Sequence, residues 1–446
     1  MTNVLLITID SLRFDFLGED RLRGNLSGIE RCTADGVFFE QAFATGPGTN
    51  SSFPGILTGT LPLSYDGLGP LSPERPTLAR ELRDAGLNTA GFHSNPFLSS
   101  HFNYSRGFDE FDDYQNPLMG IATKVFPRGI EISNPKLKRM DEALNFTGGL
   151  KKVYQFWKGK PRPYVGADVI TDDAINWLGN TDEPFFCWTH YMDVHHPCYP
   201  PQPYRERFNV GDVVQSEVGQ WYSILVSRPR ELTETQLDKL VSLYRAAIVY
   251  TADQIERLLT ELDRTGRYED TLVILTSDHG ELFGDHGKYG KPARMYDELL
   301  HVPLIVANGP NQLSEIQSHL VSLLDIPPLI HETLGLRVPK YYSGRRPGVD
   351  PERETILAEF ETNGKIIIGA RSKEWRFEGD EIEGEHRLFH KESDRLRRIP
   401  LDKSSEELAV IENVRDRLSA LEIEAQALED DVDRDVRDRL EDLGYM

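Results

Sequence analysis

Two stretches far apart in the chain, NVLLITID at residues 3–10 and DTLVILTSDHG at 270–280, are apolar almost throughout, rich in β-branched residues, and end abruptly in acid. An unbroken apolar run of that length fits a strand covered on both faces, because a half-exposed strand would alternate polar with apolar. The same shape recurs in PFFCWTHYMDVHH at 184–196 and more weakly in LNTAGFHSN at 87–95. Helical patterns come before these runs: TLARELRDAG at 77–86 stops at a glycine, and LDKLVSLYRAAIVYTADQIERLLTELDRTG at 237–266 is apolar at helical spacing. This alternation predicts an α/β fold, a mostly parallel sheet with helices on both faces.

Ligands of such sheets bind outside the carboxyl ends of the strands. Asp10, Asp278, His279 and His195 all fall at those ends. Any one of them alone is explained as a cap or a satisfied core group; four metal-competent side chains at equivalent ends of separate strands point to a shared site. Carboxylates with an imidazole suit a hard or borderline divalent cation, and a hydroxyl placed on such a cation becomes acidic enough to attack. Segment 44–59, ATGPGTNSSFPGILTG, offers Thr45, Thr49, Ser51, Ser52 and Thr58 for that purpose.

Composition excludes some partners. Fifty basic against 72 acidic residues give a formal charge of −22, and a surface of that sign repels nucleic acid and anionic membranes. The excess of Arg over Lys together with abundant Asp predicts a protein adapted to high salt. Cys32, Cys187 and Cys198 are too few for a disulfide framework, and the N-terminal run, interrupted by acid and without a basic flank, reads neither as a signal peptide nor as a membrane span. A cytoplasmic location is expected.

The length of 446 residues predicts a large domain with a smaller companion. Residues 1–340 are expected to form the catalytic domain, with an insertion at about 98–170. Residues 341–446 are expected to form a smaller subdomain with an acidic helical tail. Within it, ETILAEFETNGKIIIGARSKEWRFEG at 354–379 reads as two or three antiparallel strands around a turn at Asn363-Gly364.

The segments IDSLRFDFLG at 9–18 and TLVILTSDHGELFGDHGKYGKPARMYDELLHVPLIV at 271–306 resemble the sulfatase branch of the alkaline phosphatase superfamily. SDHGE, then GDHG, then GK, then a tyrosine with acids and VPLIV follow at that family's spacing; LVSLLDIPPLIHETLGL at 320–336 and LEDLGY at 440–445 are similar to it as well. The resemblance covers most of the first 340 residues and the remainder more loosely. It implies a metal-dependent hydrolase of sulfate esters, with a divalent ion (Ca, Mn, Mg or Zn) held by Asp10, Thr49, Asp278 and His279.

The family motif C-x-P-S-R-x-x-x-x-T-G, anchored on Thr58-Gly59, puts Thr49 where the family carries the residue that becomes formylglycine. Ser51 then replaces the motif's proline and Phe53 its arginine, and Ser11 stands where many sulfatases have a second aspartate ligand. Threonine yields no aldehyde, so the resemblance implies direct attack by Thr49 through a covalent enzyme ester. Ser52 is the rival nucleophile; Ser51 and Ser52 are otherwise helix caps, and Thr45 and Thr58 turn or packing residues. The resemblance gives His195, in D-x-H-x-P, and Lys291, after GDHG, to the substrate anion, with Asn95 lining the pocket. His196 is expected to point away, His286 to assemble the site or bond its own turn, and Arg13 and Asp15 to form a structural pair. The resemblance implies a small-molecule or glycan sulfate or phosphate ester as substrate. Relatives that cleave phosphodiesters or transfer phosphoglycerol groups supply a second reading, and a non-catalytic anion-binding protein a third.

Overall fold

A computed structural model describes residues 2–65, 67–114, 164–362, 365–380, 385–392 and 395–399, with residues 411, 414, 416, 417 and 420. The expected insertion lies largely, and the acidic tail almost wholly, outside the described residues.

The apolar runs are strands. In chain order they are β1 (Asn3–Ile9), β2 (Gly36–Phe39), β3 (Gln41–Phe43), β4 (Asn88–His93), β5 (Glu110–Asp112), β6 (Phe185–Tyr191) and β7 (Thr271–Ser277). There follow β8 (Leu282–Phe283), β9 (Tyr289–Gly290), β10 (Leu304–Ala307) and β11 (Leu320–Ser322). Seven of them form one sheet in the order β2-β10-β7-β1-β6-β4-β5, in which β7, β1, β6, β4 and β5 run parallel and β10 runs against both its neighbours.

Every residue of β1, β6 and β7 is buried, because successive side chains enter different layers. Leu5, Ile7 and Ile9 pack under the helices Ala167–Asn180 and Glu234–Arg264, whereas Val4 and Leu6 join Phe53 and Ile56 of the helix Thr49–Thr58 on the other face. Each such aliphatic burial contributes about 1.5–3 kcal/mol. The long helix starts at a reciprocal cap: Thr233 Oγ1 accepts from the amide of Gln236, and the Thr233 amide donates to Gln236 Oε1. Among the described residues, no helix is long and apolar enough to cross a membrane.

The chain after residue 350 folds into a separate antiparallel sheet of five strands, β12 (Ile356–Thr362), β13 (Lys365–Arg371), β14 (Trp375–Asp380), β15 (Glu385–Glu392) and β16 (Arg395–Ile399). Thr362 pairs with Lys365, and the expected turn residues 363–364 lie outside the described residues. The sheet has more strands than the two or three expected, because the runs at 385–399 carry too many charges to read as strands.

This small sheet grips the rest of the chain at two points. The amide of Glu359 donates to the carbonyl of Thr45 at 2.7 Å, and its Oε2 accepts from the amide of Leu63 at 2.9 Å. On the next strands, Arg371 and Arg376 reach Asp297 at 3.2 and 3.5 Å, and Glu378 accepts from the amide of Met295 at 3.2 Å.

Candidate active site

β1 and β7 end side by side, and their last residues are stitched together. Ser277 Oγ lies 2.7 Å from the carbonyls of both Ile9 and His279 and accepts from the amide of Leu12. Ser11 adopts a left-handed φ of 64°, which turns its amide onto Asp278 Oδ1 at 3.2 Å. The turn therefore presents Asp10, Asp278 and His279 to one point, where a ligand atom from each lies within 4.8 Å of the others, all three side chains fully buried.

The arrangement has the charge and donors to suit a cation. His279 Nδ1 donates to the carbonyl of Gly280 at 2.9 Å, so its Nε2 bears a lone pair. That lone pair lies 3.4 Å from Asp278 Oδ2 and 3.8 Å from Asp10 Oδ1. Asp278 Oδ2 has no hydrogen-bond partner among the described residues. Burial pushes the Asp278 carboxyl well above the usual carboxylate range, and the nearby charge of Asp10 adds to the shift. Burial acts on Asp10 in the same direction, but His195, Lys291, His190 and His279 together hold it well below that range. His279 itself is pushed down to about 3 by burial and then by Lys291, which keeps its Nε2 unprotonated. Two carboxylates and an imidazole lone pair converging at a fully buried point fit a divalent ion with mixed oxygen and nitrogen donors.

Thr49 is the first residue of its helix, and its hydroxyl lies 3.3 Å from His279 Nε2 and 3.5 Å from Asp10 Oδ2. The other hydroxyls of the segment are committed to backbone. Ser52 Oγ donates to the carbonyl of Gly46 at 2.8 Å, Ser51 Oγ to that of Gly48 at 2.9 Å, Thr45 Oγ1 to that of Ser51, and Thr58 Oγ1 to that of Pro54. The geometry thus separates Thr49 from its rival Ser52. Gly46 is required because a Cβ there would fall 2.3 Å from Ser51 Oγ.

The remaining expected residues surround Asp10. Lys291 Nζ lies 3.7 Å from Asp10 Oδ1. His195 donates its Nδ1 proton to the carbonyl of His196 at 2.7 Å, which leaves Nε2 free, and burial followed by the charge of Lys291 lowers its pKa to about 4. Asn95 is bound at both ends of its amide: Nδ2 donates to Asp10 Oδ2 at 2.8 Å, and Oδ1 accepts from the amide of Phe97 at 3.0 Å. Its direct partner is therefore the carboxylate. Ser11 Oγ donates to Asp10 Oδ1 at 2.6 Å, so a hydroxyl replaces the second acid with a hydrogen bond.

Some expectations are corrected. His196 does not point away: it is buried, stacks on Tyr222 with ring centroids 3.7 Å apart, and brings Nε2 within 2.9 Å of Glu281 Oε1. The alternation rule fails there because residues 193–197 form a turn beyond β6 rather than extended chain. His286 lies outside the cluster, 3.0 Å from Glu298 Oε2 and stacked on Tyr296. Arg13 does pair with Asp15, at 2.7 Å, and also with Asp285, at 2.8 Å, bracing the first turn. Two site residues went unread in the sequence. Glu281, the last letter of SDHGE, is fully buried 3.9 Å from Lys291 Nζ, and His190 lies inside β6 with Nε2 3.4 Å from Asp10 Oδ2.

A doubly covered, mostly parallel sheet whose strand ends gather acids, an imidazole and a hydroxyl under a lysine has the architecture of the alkaline phosphatase superfamily. Within that superfamily the chain belongs to the sulfatase family, whose model matches residues 2–336. It is similar to the uncharacterized sulfatase YidJ of Escherichia coli, 26% identical over 367 residues that cover 77% of this chain and 68% of the relative. It is also similar to an arylsulfatase of Clostridium perfringens, 22% identical over 426 residues, or 86% and 81% of the two chains. Its fold is shared with the phosphonate monoester hydrolase of Agrobacterium radiobacter, with a TM-score of 0.67 at 20% identity over 95% of this chain and 96% of that one.

Proposed function

We propose that this chain is a divalent-metal-dependent hydrolase of sulfate esters with Thr49 as its nucleophile. The observation that carries this reading is the Thr49 hydroxyl, 3.3 Å from the lone-pair nitrogen of His279 beside the Asp10–Asp278 pair. Asp10, Asp278, His279 and Thr49 would hold the ion; when bound, it lowers the pKa of the threonine hydroxyl and neutralises charge on the ester oxygens.

Thr49 Oγ gives up its proton to solvent and attacks sulfur, the bond from sulfur to the alcohol oxygen breaks, and the alcohol leaves with a proton. His195 is the group that relays it: its free Nε2 takes a proton from solvent, which an entering anion favours, and passes it to the departing oxygen. Lys291 pairs with the anion's outer oxygens. Water cleaves the Thr49 sulfate ester, releasing hydrogen sulfate and regenerating the hydroxyl. The family supplies the class of reaction, and the threonine in place of a formylglycine precursor makes it a two-step displacement by an ordinary alcohol.

A second reading, hydrolysis of phosphate diesters or phosphonate monoesters, is favoured by one observation: the buried Glu281 partly neutralises Lys291. This favours a monoanion over a doubly charged phosphate monoester, and sulfate esters and phosphodiesters share that charge. Hydrolysis of nitrophenyl sulfate, nitrophenyl phosphate and bis-nitrophenyl phosphate, each with Mn, Mg, Ca, Zn or chelator, separates the readings. Turnover of the sulfate above the diester supports the first; the reverse order supports the second; a clear preference for the monoester overturns both.

A further inference from the structure

The position where the family motif carries arginine is here Phe53, fully buried, and its ring meets His190 edge-on with centroids 5.0 Å apart. His190 is itself fully buried in the middle layer of the sheet. Parallel pairing of β1 with β6 sets Thr8 opposite His190, and Thr8 Oγ1 lies 2.9 Å from His190 Nδ1. On its other side, His190 Nε2 lies 3.4 Å from Asp10 Oδ2.

Donor arithmetic fixes the direction of this chain. The indole of Trp188 can only donate, and it does so to Thr8 Oγ1 at 3.0 Å. The single proton of Thr8 can go to the carbonyl of Thr189, at 3.2 Å, or to His190 Nδ1. In the first case the imidazole needs its proton on Nδ1, and a bare Nε2 lone pair faces a fully buried carboxylate. In the second case the Nε2 proton faces the Asp10 carboxylate at 3.4 Å, a charge contact outside hydrogen-bond geometry. Burial makes the first arrangement the costlier one.

We propose that His190 is a positioning residue, oriented by Trp188 and Thr8, whose Nε2–H holds Asp10 in the rotamer a divalent ion needs. The proposal rests on the reading that Asp10 is a ligand. With Asn95 on the same oxygen and Ser11 on the other, Asp10 is restrained from three elements, and the donor from the sheet interior is the one solvent cannot replace. Donors behind a ligating carboxylate typically change metal affinity about 10- to 100-fold.

The test is a calorimetric Mn²⁺ titration of the unmodified chain and of His190→Leu, His190→Gln and Thr8→Val, with melting in chelator as the check on folding. Leu keeps bulk without a donor, Gln restores a donor near the Nε2 position, and Val removes the hydroxyl that orients the ring. The expected order is His190→Leu weakest, by about 10- to 100-fold, Thr8→Val intermediate, and His190→Gln close to the unmodified chain. If His190→Leu does not fold, the ordering of Thr8→Val against His190→Gln decides. Unchanged affinity in His190→Leu, or equal losses in Leu and Gln, reduces His190 to packing and overturns the proposal alone. An unmodified chain that binds no Mn²⁺ overturns the metal-centre reading beneath it.

Discussion

Thr49 and His279 meet head to head: the hydroxyl of one lies 3.3 Å from the Nε2 of the other, whose second nitrogen is tied to the carbonyl of Gly280. The threonine proton is the one hydrogen that can lie between the two oxygen- and nitrogen-bearing groups, so its removal is coupled to whatever positive charge the cluster holds. Thr49→Ala is expected to lose at least about 10³-fold in kcat while still binding metal through Asp10, Asp278 and His279. Ser52→Ala is expected to keep most of its turnover. Steady-state kinetics beside metal analysis of the purified variants checks both, and the reverse pattern transfers the nucleophile to Ser52.

The cluster is held together against its own charge, so a cation should stabilise the fold. At a concentration a hundred times its dissociation constant, a bound ion adds about 2.7 kcal/mol. Differential scanning calorimetry should show the melting temperature rising with added Mn²⁺ and falling in chelator. In Asp278→Asn the ion's effect should shrink to near zero, while the chelated protein is no less stable than its parent, because a neutral amide replaces a carboxyl that burial already pushes upward.

Lys291 is only partly exposed and lies between two buried carboxylates, 3.7 Å from Asp10 and 3.9 Å from Glu281. Lys291→Ala removes the outer cation of the site and is expected to lower kcat/KM by about 10²–10³-fold. The loss should be greater for an anionic ester than for a neutral carboxylate ester of the same leaving group. Equal losses for both substrates would show that the lysine serves structure alone.

His93 supplies a pH dependence independent of the metal. It is fully buried between Trp188 and Phe111, and burial, then the neighbouring His190, lowers its pKa to about 3. The unfolded chain binds a proton near the usual histidine value of about 6.5, which the folded chain refuses until about 3. Stability from this group is thus complete above about pH 6.5 and is lost as pH falls, at about 1.4 kcal/mol per unit. His93→Phe, with a ring of similar shape, should remove that slope: between pH 6 and pH 5 it should gain about 1 kcal/mol on its parent in urea unfolding. Parallel curves for the two proteins would mean that the folded chain does protonate His93.

Asp10, Asp278 and His279 were legible because an ionisable group at the end of an apolar run stands out against its own neighbours. His190 was not, since one polar letter inside PFFCWTHYMDV looks like an interruption of a strand; its meaning depends on Thr8, about 180 positions away. Glu281 was passed over for a related reason: it follows three recognisable site letters, and only the packing of His196 against Tyr222 shows that it is enclosed. His196 was misread because a period-two rule was applied to a turn. The strands of the small sheet beyond residue 380 were hidden by their own charges, of which Arg387 pairs with Glu378 on the neighbouring strand at 2.9 Å.

Glu359 carries a consequence for how such a protein can change over time. One residue of the trailing sheet hydrogen-bonds the strand-to-helix bend two glycines before Thr49, while its neighbours Arg371 and Arg376 secure the segment that begins at Lys291. The trailing sheet therefore cannot be exchanged as a cassette to retarget the enzyme: any graft must reproduce these grips or release both rims of the cleft at once. Inheritance should bind the two parts together, so that new substrate ranges arise from loops at the strand ends rather than from shuffled tails.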